Sequence, residues 1–292
     1  MKELLLKRKG KFIKYLIATF MFVIEHFVQM GLLALILAAI ENGSMSYYRL
    51  VIILTITYVI YSPINFIISR MMRISYMRDT ILDVRRMAFE KIINMPFKQY
   101  TQKSKEVYLS NLINDVNTFE NTFFLSLLNF LINMTMYVLS IFILIVLDYK
   151  IAIGMFIYSL LIFALAKIFT KKTTQLEQEI STSNENFTTT MANTFNGLEI
   201  LKLNNIEDKF LKKSKFTINR LEKKKFEANV FSEVQRQGIH ILNAIALALV
   251  LVYLGYGIQA NMSLAVAGLI FQLSSSSSMY LIEAFPLLNR IK

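Results

Sequence analysis

Cysteine is absent from the 292 residues, proline occurs three times, glycine nine times and histidine twice. Without cysteine there is no disulfide framework, thiolate metal site or cysteine nucleophile. His26 and His240 stand far apart in the chain and argue against a zinc site. The scarcity of Pro and Gly leaves long stretches with no helix breaker. Charge is scarce as well: 18% of residues are charged against 55% apolar, with a mean hydropathy of +0.47. That balance excludes a disordered chain and is too apolar for an ordinary globular enzyme. The composition is that of an all-α membrane protein.

Six apolar runs are present, Tyr15–Ile40, Tyr47–Ser69, Phe123–Leu147, Ile151–Phe169, Ile239–Ile258 and Ser263–Leu288. Each is near or above the ~18–20 residues that cross ~30 Å of hydrocarbon. Only Asp148-Tyr149-Lys150 separates the third run from the fourth. A continuous helix through both would be far too long for one crossing, so a tight turn is expected there. The first run is too long for the apolar region of a signal peptide and has no clear small-residue cleavage site.

Lys and Arg set the orientation. Of 32 basic residues, only Arg49 and Lys150 fall in the loops of one side. The rest lie before Lys14, between Arg70 and Lys105, between Lys167 and Arg236, and at the C-terminal end. By the positive-inside rule both termini are cytoplasmic. The net charge of +12 then sits on cytoplasmic surfaces, beside anionic lipid head groups. Because the basic residues are interleaved with acids along helical segments, as from Lys209 to Glu227, a nucleic-acid partner is not expected.

Spans two, four and five read on as helix well past the membrane. No Gly or Pro lies between Pro63 and Pro96, and Ile151 to Asn196 contains only Gly154. Read backwards from Gly255, span five meets only Gly238 before Asp208. The 46 residues from Leu50 to Met95 would be about 69 Å long as helix, roughly half of it cytoplasmic. The pattern of span, long cytoplasmic excursion and span occurs twice, with excursions over 70–122 and 170–238.

The tips of the excursions carry a resemblance. The first reads Leu109-Ser110-Asn111-Leu112-Ile113-Asn114-Asp115-Val116. The second reads Gly197-Leu198-Glu199-Ile200-Leu201-Lys202, followed by Ile206-Glu207-Asp208 and Phe210. Together with the topology they resemble the transmembrane domain of six-helix ABC exporters, over about residues 12 to 292. The Gly that the family usually carries ahead of the first tip is replaced by Lys105-Glu106. In span six, Gly268 to Leu273 is similar to the family, but the proline expected just past Ser274–Ser278 comes later, as Pro286.

The resemblance implies a single transmembrane domain, 1–292, working as a dimer with a second such domain, homo- or heterodimeric, in a bacterial plasma membrane. It implies that Tyr108, Leu109, Asn111, Asn114 and Asp115 at the first tip, and Leu203, Ile206, Glu207 and Asp208 at the second, couple to ATPase domains. Such domains carry a G-x-x-x-x-G-K-[ST] phosphate loop. None of the nine glycines here has that spacing, so the chain itself is not expected to bind ATP or Mg, or to hydrolyse ATP. Either a separate ATPase subunit docks on it or it belongs to a longer polypeptide. The second is favoured because Lys292 falls where the family's sixth helix continues.

Polar residues at membrane depth are the candidates for the substrate pathway. Glu25 and His26 lie about 15 Å into span one, where a carboxylate costs about 2.5–3.5 kcal/mol on insertion scales and needs a cavity or a partner. Neighbours on a helix point about 100° apart, so the two cannot share one face. For Glu25 the alternatives are a substrate or proton contact and an interhelical hydrogen bond made by the protonated carboxyl; for His26 the hydrogen bond is favoured. The Ser274–Ser278 run, with Ser276 at its centre, permits close helix packing or forms a polar wall. Glu283 is a further candidate that could instead pair with Arg290. Asp79 and Asp83, at i and i+4 among Arg78, Arg85 and Arg86, read as an ion-pair network on a solvated helix. No nucleophile–base–acid set is visible. Two other functions fit the composition: an ion-coupled secondary transporter using Glu25, and a non-transporting membrane scaffold or sensor.

Overall fold

A computed structural model describes residues 7–101, 108–109 and 111–291. Among the described residues the secondary structure is helical throughout, with no strand. The first helix, α1 (Lys9–Asn42), stops at Gly43, whose φ of +63° only glycine adopts without strain and whose N–H reaches the Ala39 carbonyl at 3.0 Å. Helix α2 (Met45–Ile93) runs 49 residues with Pro63 inside it and ends just before Pro96, which opens the short α3 (Phe97–Tyr100).

The third span begins with mixed winding. A π-helical turn over Asn111–Asp115 leads to α4 (Val116–Thr118), a second π-helical stretch over Phe119–Phe124, and then α5 (Leu125–Leu147). The break expected around Asp148 is a single residue: Asp148 is extended (φ −154°, ψ 101°) and α6 (Tyr149–Asn196) starts at once. Asp148 Oδ1 accepts from the N–H groups of Lys150 and Ile151, at 2.9 and 3.3 Å, and so satisfies donors that the first turn of α6 cannot bond itself. Next come α7 (Leu198–Leu203), α8 (Glu207–Gln259) and α9 (Leu264–Ile291). Six of these helical stretches are long and apolar enough to cross a membrane. Along α2, Ile52, Ile53, Val59, Ile60 and Ile64 are all exposed, the ordinary state for side chains that meet hydrocarbon.

The chain divides into two compact units. The first comprises residues 1–157 and 247–292. In it α1 lies along α2, and α9 packs on both α5 and α1. A buried aromatic cluster joins three segments: Tyr15 from α1, Tyr76 and Ile81 from α2, and Val116, Phe124 and Leu128 from the third span. The Tyr15 and Tyr76 rings are 5.3 Å apart, and the Tyr15 hydroxyl reaches the Leu128 carbonyl at 3.4 Å. The second unit, residues 158–246, is a hairpin of 158–196 of α6 and 207–246 of α8, joined through α7. Three links down its length fix the antiparallel register. The Tyr158 hydroxyl lies 3.3 Å from Asn243 Oδ1, the Phe169 and Phe231 rings are 6.0 Å apart, and Lys224 Nζ is 2.9 Å from Glu179.

Candidate functional site: a polar seam at membrane depth and two inner tips

Glu25 and His26 point to different neighbours, as their helical offset requires. Glu25 faces α2: Ser62 Oγ donates to one carboxylate oxygen, and Asn65 Nδ2 donates to the other at 2.6 Å. Asn65 Nδ2 also lies 3.4 Å from the Met21 carbonyl, so two acceptors fix the orientation of the amide. Asn65 is 2% exposed and its Oδ1 has no hydrogen-bond partner among the described residues. Both partners of Glu25 are neutral, and none of the ion pairs among the described residues includes it. The nearest basic residue down the same α2 face, Arg73, lies instead with its guanidinium 4.9 Å from the Phe22 ring centre. Ser62 and Asn65 were missed in the sequence. The signal was there, two polar residues one turn apart in an apolar run opposite the only acid of span one.

His26 faces α9. Its Nε2 lies 3.3 Å from the Tyr280 hydroxyl, with the two rings edge to face at 5.6 Å. The contact is the interhelical hydrogen bond favoured for it. In the serine run the hydroxyls turn back on their own helix: Ser274, Ser277 and Ser278 donate to the carbonyls of Ile270, Ser274 and Ser275 at 2.8–2.9 Å. These three are buried, while Ser275 and Ser276 are half-buried, so most of the run serves close packing. Glu283 is exposed. The Arg290 side chain suggested as its partner lies outside the described residues.

At the first tip Tyr108 is tucked in. Its ring stacks on Tyr100 at 5.1 Å, and its hydroxyl donates to the Gln99 and Tyr100 carbonyls, each at 3.2 Å. Leu109, Ile113, Asn114 and Asp115 are exposed. Lys105, Glu106, Ser110 and the Asn111 side chain lie outside the described residues. Behind the tip, Arg85 Nη2 donates to Asn117 Oδ1 at 2.7 Å and holds the turn against α2.

At the second tip Gly197 ends α6, and the six residues of α7 follow. Asn205 then takes φ +53° while its N–H reaches the Lys202 carbonyl (3.3 Å) and the Ile206 N–H reaches the Leu201 carbonyl (3.2 Å). This paired bonding closes a helix by turning one residue left-handed. It buries Leu201 and leaves Ile200, Leu203 and Ile206 exposed, Leu203 at 76%. Glu207 opens α8 within 3.1 Å of Lys202 Nζ; bonding to its own N–H in the first turn, then Lys202, holds its carboxyl below the usual range. Asp208, in the same turn, is exposed.

The acidic pair Asp79 and Asp83 requires a correction. It does not lie on a solvated face: the two side chains are 6% and 8% exposed, and they pair across to α1. Arg8 meets both carboxylate oxygens of Asp83, at 2.7 and 2.9 Å, while Lys11 and Arg78 bond Asp79. Of the three arginines expected around the pair, only Arg78 takes part. Hydrogen bonds from Lys11 first and Arg78 second bring the Asp79 carboxyl down to about 2. Arg8 lowers that of Asp83.

Six long apolar helices, helical extensions on either side of short exposed turns, and a polar seam inside the first hairpin define a multi-pass helical transport domain. The chain belongs to the ABC transporter transmembrane region family, whose sequence model matches residues 12–285. No curated protein matches it.

Proposed function

We propose that the chain is the membrane-spanning part of an ATP-driven exporter. It forms the substrate pathway and takes up the motion of ATPase domains through its two inner tips. The observation that carries this reading is the pair of exposed apolar tips, Leu109 and Ile113 on one and Ile200, Leu203 and Ile206 on the other. Both stand at the ends of helices far longer than a bilayer requires. Members of this family associate with nucleotide-binding domains and dimerise. An exposed apolar tip beside charged Glu207 and Asp208 is suited to lodge in a groove on such a domain. Alternating access then follows from switching between two packings, not from continuous bending.

ATP and Mg belong to the nucleotide-binding domain in this reading, because none of this chain's glycines has phosphate-loop spacing. The second transmembrane domain is a homologous chain or another copy. Both termini and both tips face the cytoplasm of a bacterial plasma membrane, following the distribution of Lys and Arg.

The test uses the transporter with whatever ATPase component it carries, in vesicles. Transport should require ATP. Leu203→Asp should abolish it while leaving the melting temperature unchanged, because a side chain so exposed contributes little to the fold. A single cysteine placed at 203 in this cysteine-free chain should cross-link to the ATPase component. Transport that runs on an ion gradient without ATP would overturn the reading.

A further inference from the structure

The Glu25 seam has more acceptor capacity than the protein satisfies. Both carboxylate oxygens meet neutral partners, the Ser62 hydroxyl and the Asn65 amide. No Lys or Arg is ion-paired with it among the described residues. The buried, unpartnered Asn65 Oδ1 belongs to the same amide whose nitrogen is 2.6 Å from the carboxylate; covalent geometry keeps it within about 5 Å of that carboxylate. A carboxylate held only by neutral donors and a buried acceptor without a donor each leave room for a further partner. One ligand group fits both, a cation that also bears N–H donors.

A metal ion fits poorly. The two acceptors that orient the Asn65 amide turn its NH2 towards the carboxylate, where it would repel a metal ion. Among the described residues no group of three His, Asp or Glu side chains could hold a metal.

The surroundings give the rest of the ligand's shape. Along α1, residues 25 and 36 are eleven apart and share a face; along α2, so do 51, 55 and 62. On that seam, about 9–21 Å along the helices from the carboxylate, lies an apolar groove of about 310 Å³ lined by Ile36, Ala39, Tyr48, Val51, Ile52, Thr55 and Ile56, open on the side of the exposed Ile52 and Ile56. From the carboxylate without a basic partner, the unpartnered Asn65 Oδ1 and the groove together we infer that the α1–α2 seam binds a protonated primary or secondary amine carried on an apolar body, its N–H groups on Glu25 and Asn65 Oδ1 and its apolar part directed along the groove. The inference rests on the proposed function, for which it names a class of substrate. Its chemistry is shared by soluble amphiphilic amines and by the aminoethyl head group of a membrane lipid.

The experiment uses the transporter as purified, in phosphatidylcholine nanodiscs, with radiolabelled dodecylammonium as probe. Saturable binding is expected. Dodecanol should fail to compete, and dodecyltrimethylammonium, which has the charge but no N–H, should compete more weakly than unlabelled probe. Glu25→Gln should weaken binding by about tenfold or more, the effect of losing a charge-assisted bond, whereas Glu25→Asp, which keeps the charge, should retain most of it. Nanodiscs of phosphatidylethanolamine separate the two sources. Competition from that lipid assigns the site to a head group, and unchanged probe affinity assigns it to a soluble amine.

Equal competition by dodecanol would overturn the inference, as would unchanged affinity in a Glu25→Gln protein that melts like the parent. If that variant does not fold, the series of head groups on the unaltered protein decides the matter. Amine binding without ATP-driven transport would refute the proposed function and leave the site standing. ATP-driven transport without amine binding would do the reverse.

Discussion

Arg8 and Asp83, 75 residues apart, meet through two parallel hydrogen bonds of 2.7 and 2.9 Å, which tie the N-cap of α1 to the C-terminal half of α2. One turn earlier on α2, Asp79 repeats the link with Lys11. Two carboxylates at i and i+4 thus face two bases at i and i+3, and the aromatic cluster around Tyr15 and Tyr76 lies immediately beyond them. The start of α1 and the C-terminal half of α2 are therefore joined twice, by charge and by packing.

The pairing predicts an acid-dependent loss of stability. A carboxyl lowered in the folded state stabilises fully above its unfolded value of about 4 and loses that contribution as pH falls through its folded value. For Asp79, held near 2, the loss falls between about pH 4 and pH 2. The melting temperature of the purified protein should fall over that window. Asp79→Asn should melt a few degrees lower at neutral pH and show a shallower fall in acid. Parallel curves for the two proteins would mean that the pairing contributes nothing to stability.

Helix lengths were legible because breakers are so rare. The ends of α2 before Pro96 and of α6 before Gly197 follow from where Pro and Gly stand, whereas the start of α8 at Glu207 is set by the left-handed Asn205. The partners were not legible. Nothing in the local spacing of Asp79 and Asp83 says that their cations come from the N-terminus, because that pairing is made only when two helices lie side by side. The π-helical winding over 111–124 was also invisible, since it depends on a hydrogen-bond register one residue wider than the α-helix and not on composition. For the serine run the sequence left packing and a polar wall both open; in the structure the hydroxyls of Ser274, Ser277 and Ser278 bond within their own helix.

The left-handed Asn205 sets the turn of the second tip, and its backbone predicts a ranking. Asn205→Gly removes any steric cost at φ +53° and should leave stability and transport near the parent values. Asn205→Val places a β-branched side chain in the left-handed region, at a cost of about 1–2 kcal/mol. It should lower the melting temperature or loosen the tip, read as faster hydrogen exchange at Ile206 and Glu207. Equal behaviour of the Gly and Val variants would show that the turn tolerates another backbone path.

A close helix crossing predicts a rescue. A Cβ on Gly268 of α9 would run into the Leu37 side chain of α1. Alanine there asks only that the flexible end of Leu37 move. Gly268→Val should cost about 1–3 kcal/mol, as overpacking does. Leu37→Ala should recover much of that loss in the double variant while being destabilising alone. Simple additivity of the two substitutions in thermal unfolding would place the strain elsewhere.

The serine run separates packing from pathway within one helix. Ser277 is fully buried with its hydroxyl on the Ser274 carbonyl, so its site has room for a small side chain only. Ser277→Leu should therefore overpack the interior of the first unit and lower stability by about 1–3 kcal/mol. Ser276, one residue earlier and about 100° around the helix, is half-buried, and Ser276→Ala should leave the melting temperature unchanged. Transport by the Ser276→Ala protein then tests the remaining pathway role directly. A changed rate with unchanged stability marks a surface that the substrate meets, and an unchanged rate assigns the whole run to helix packing.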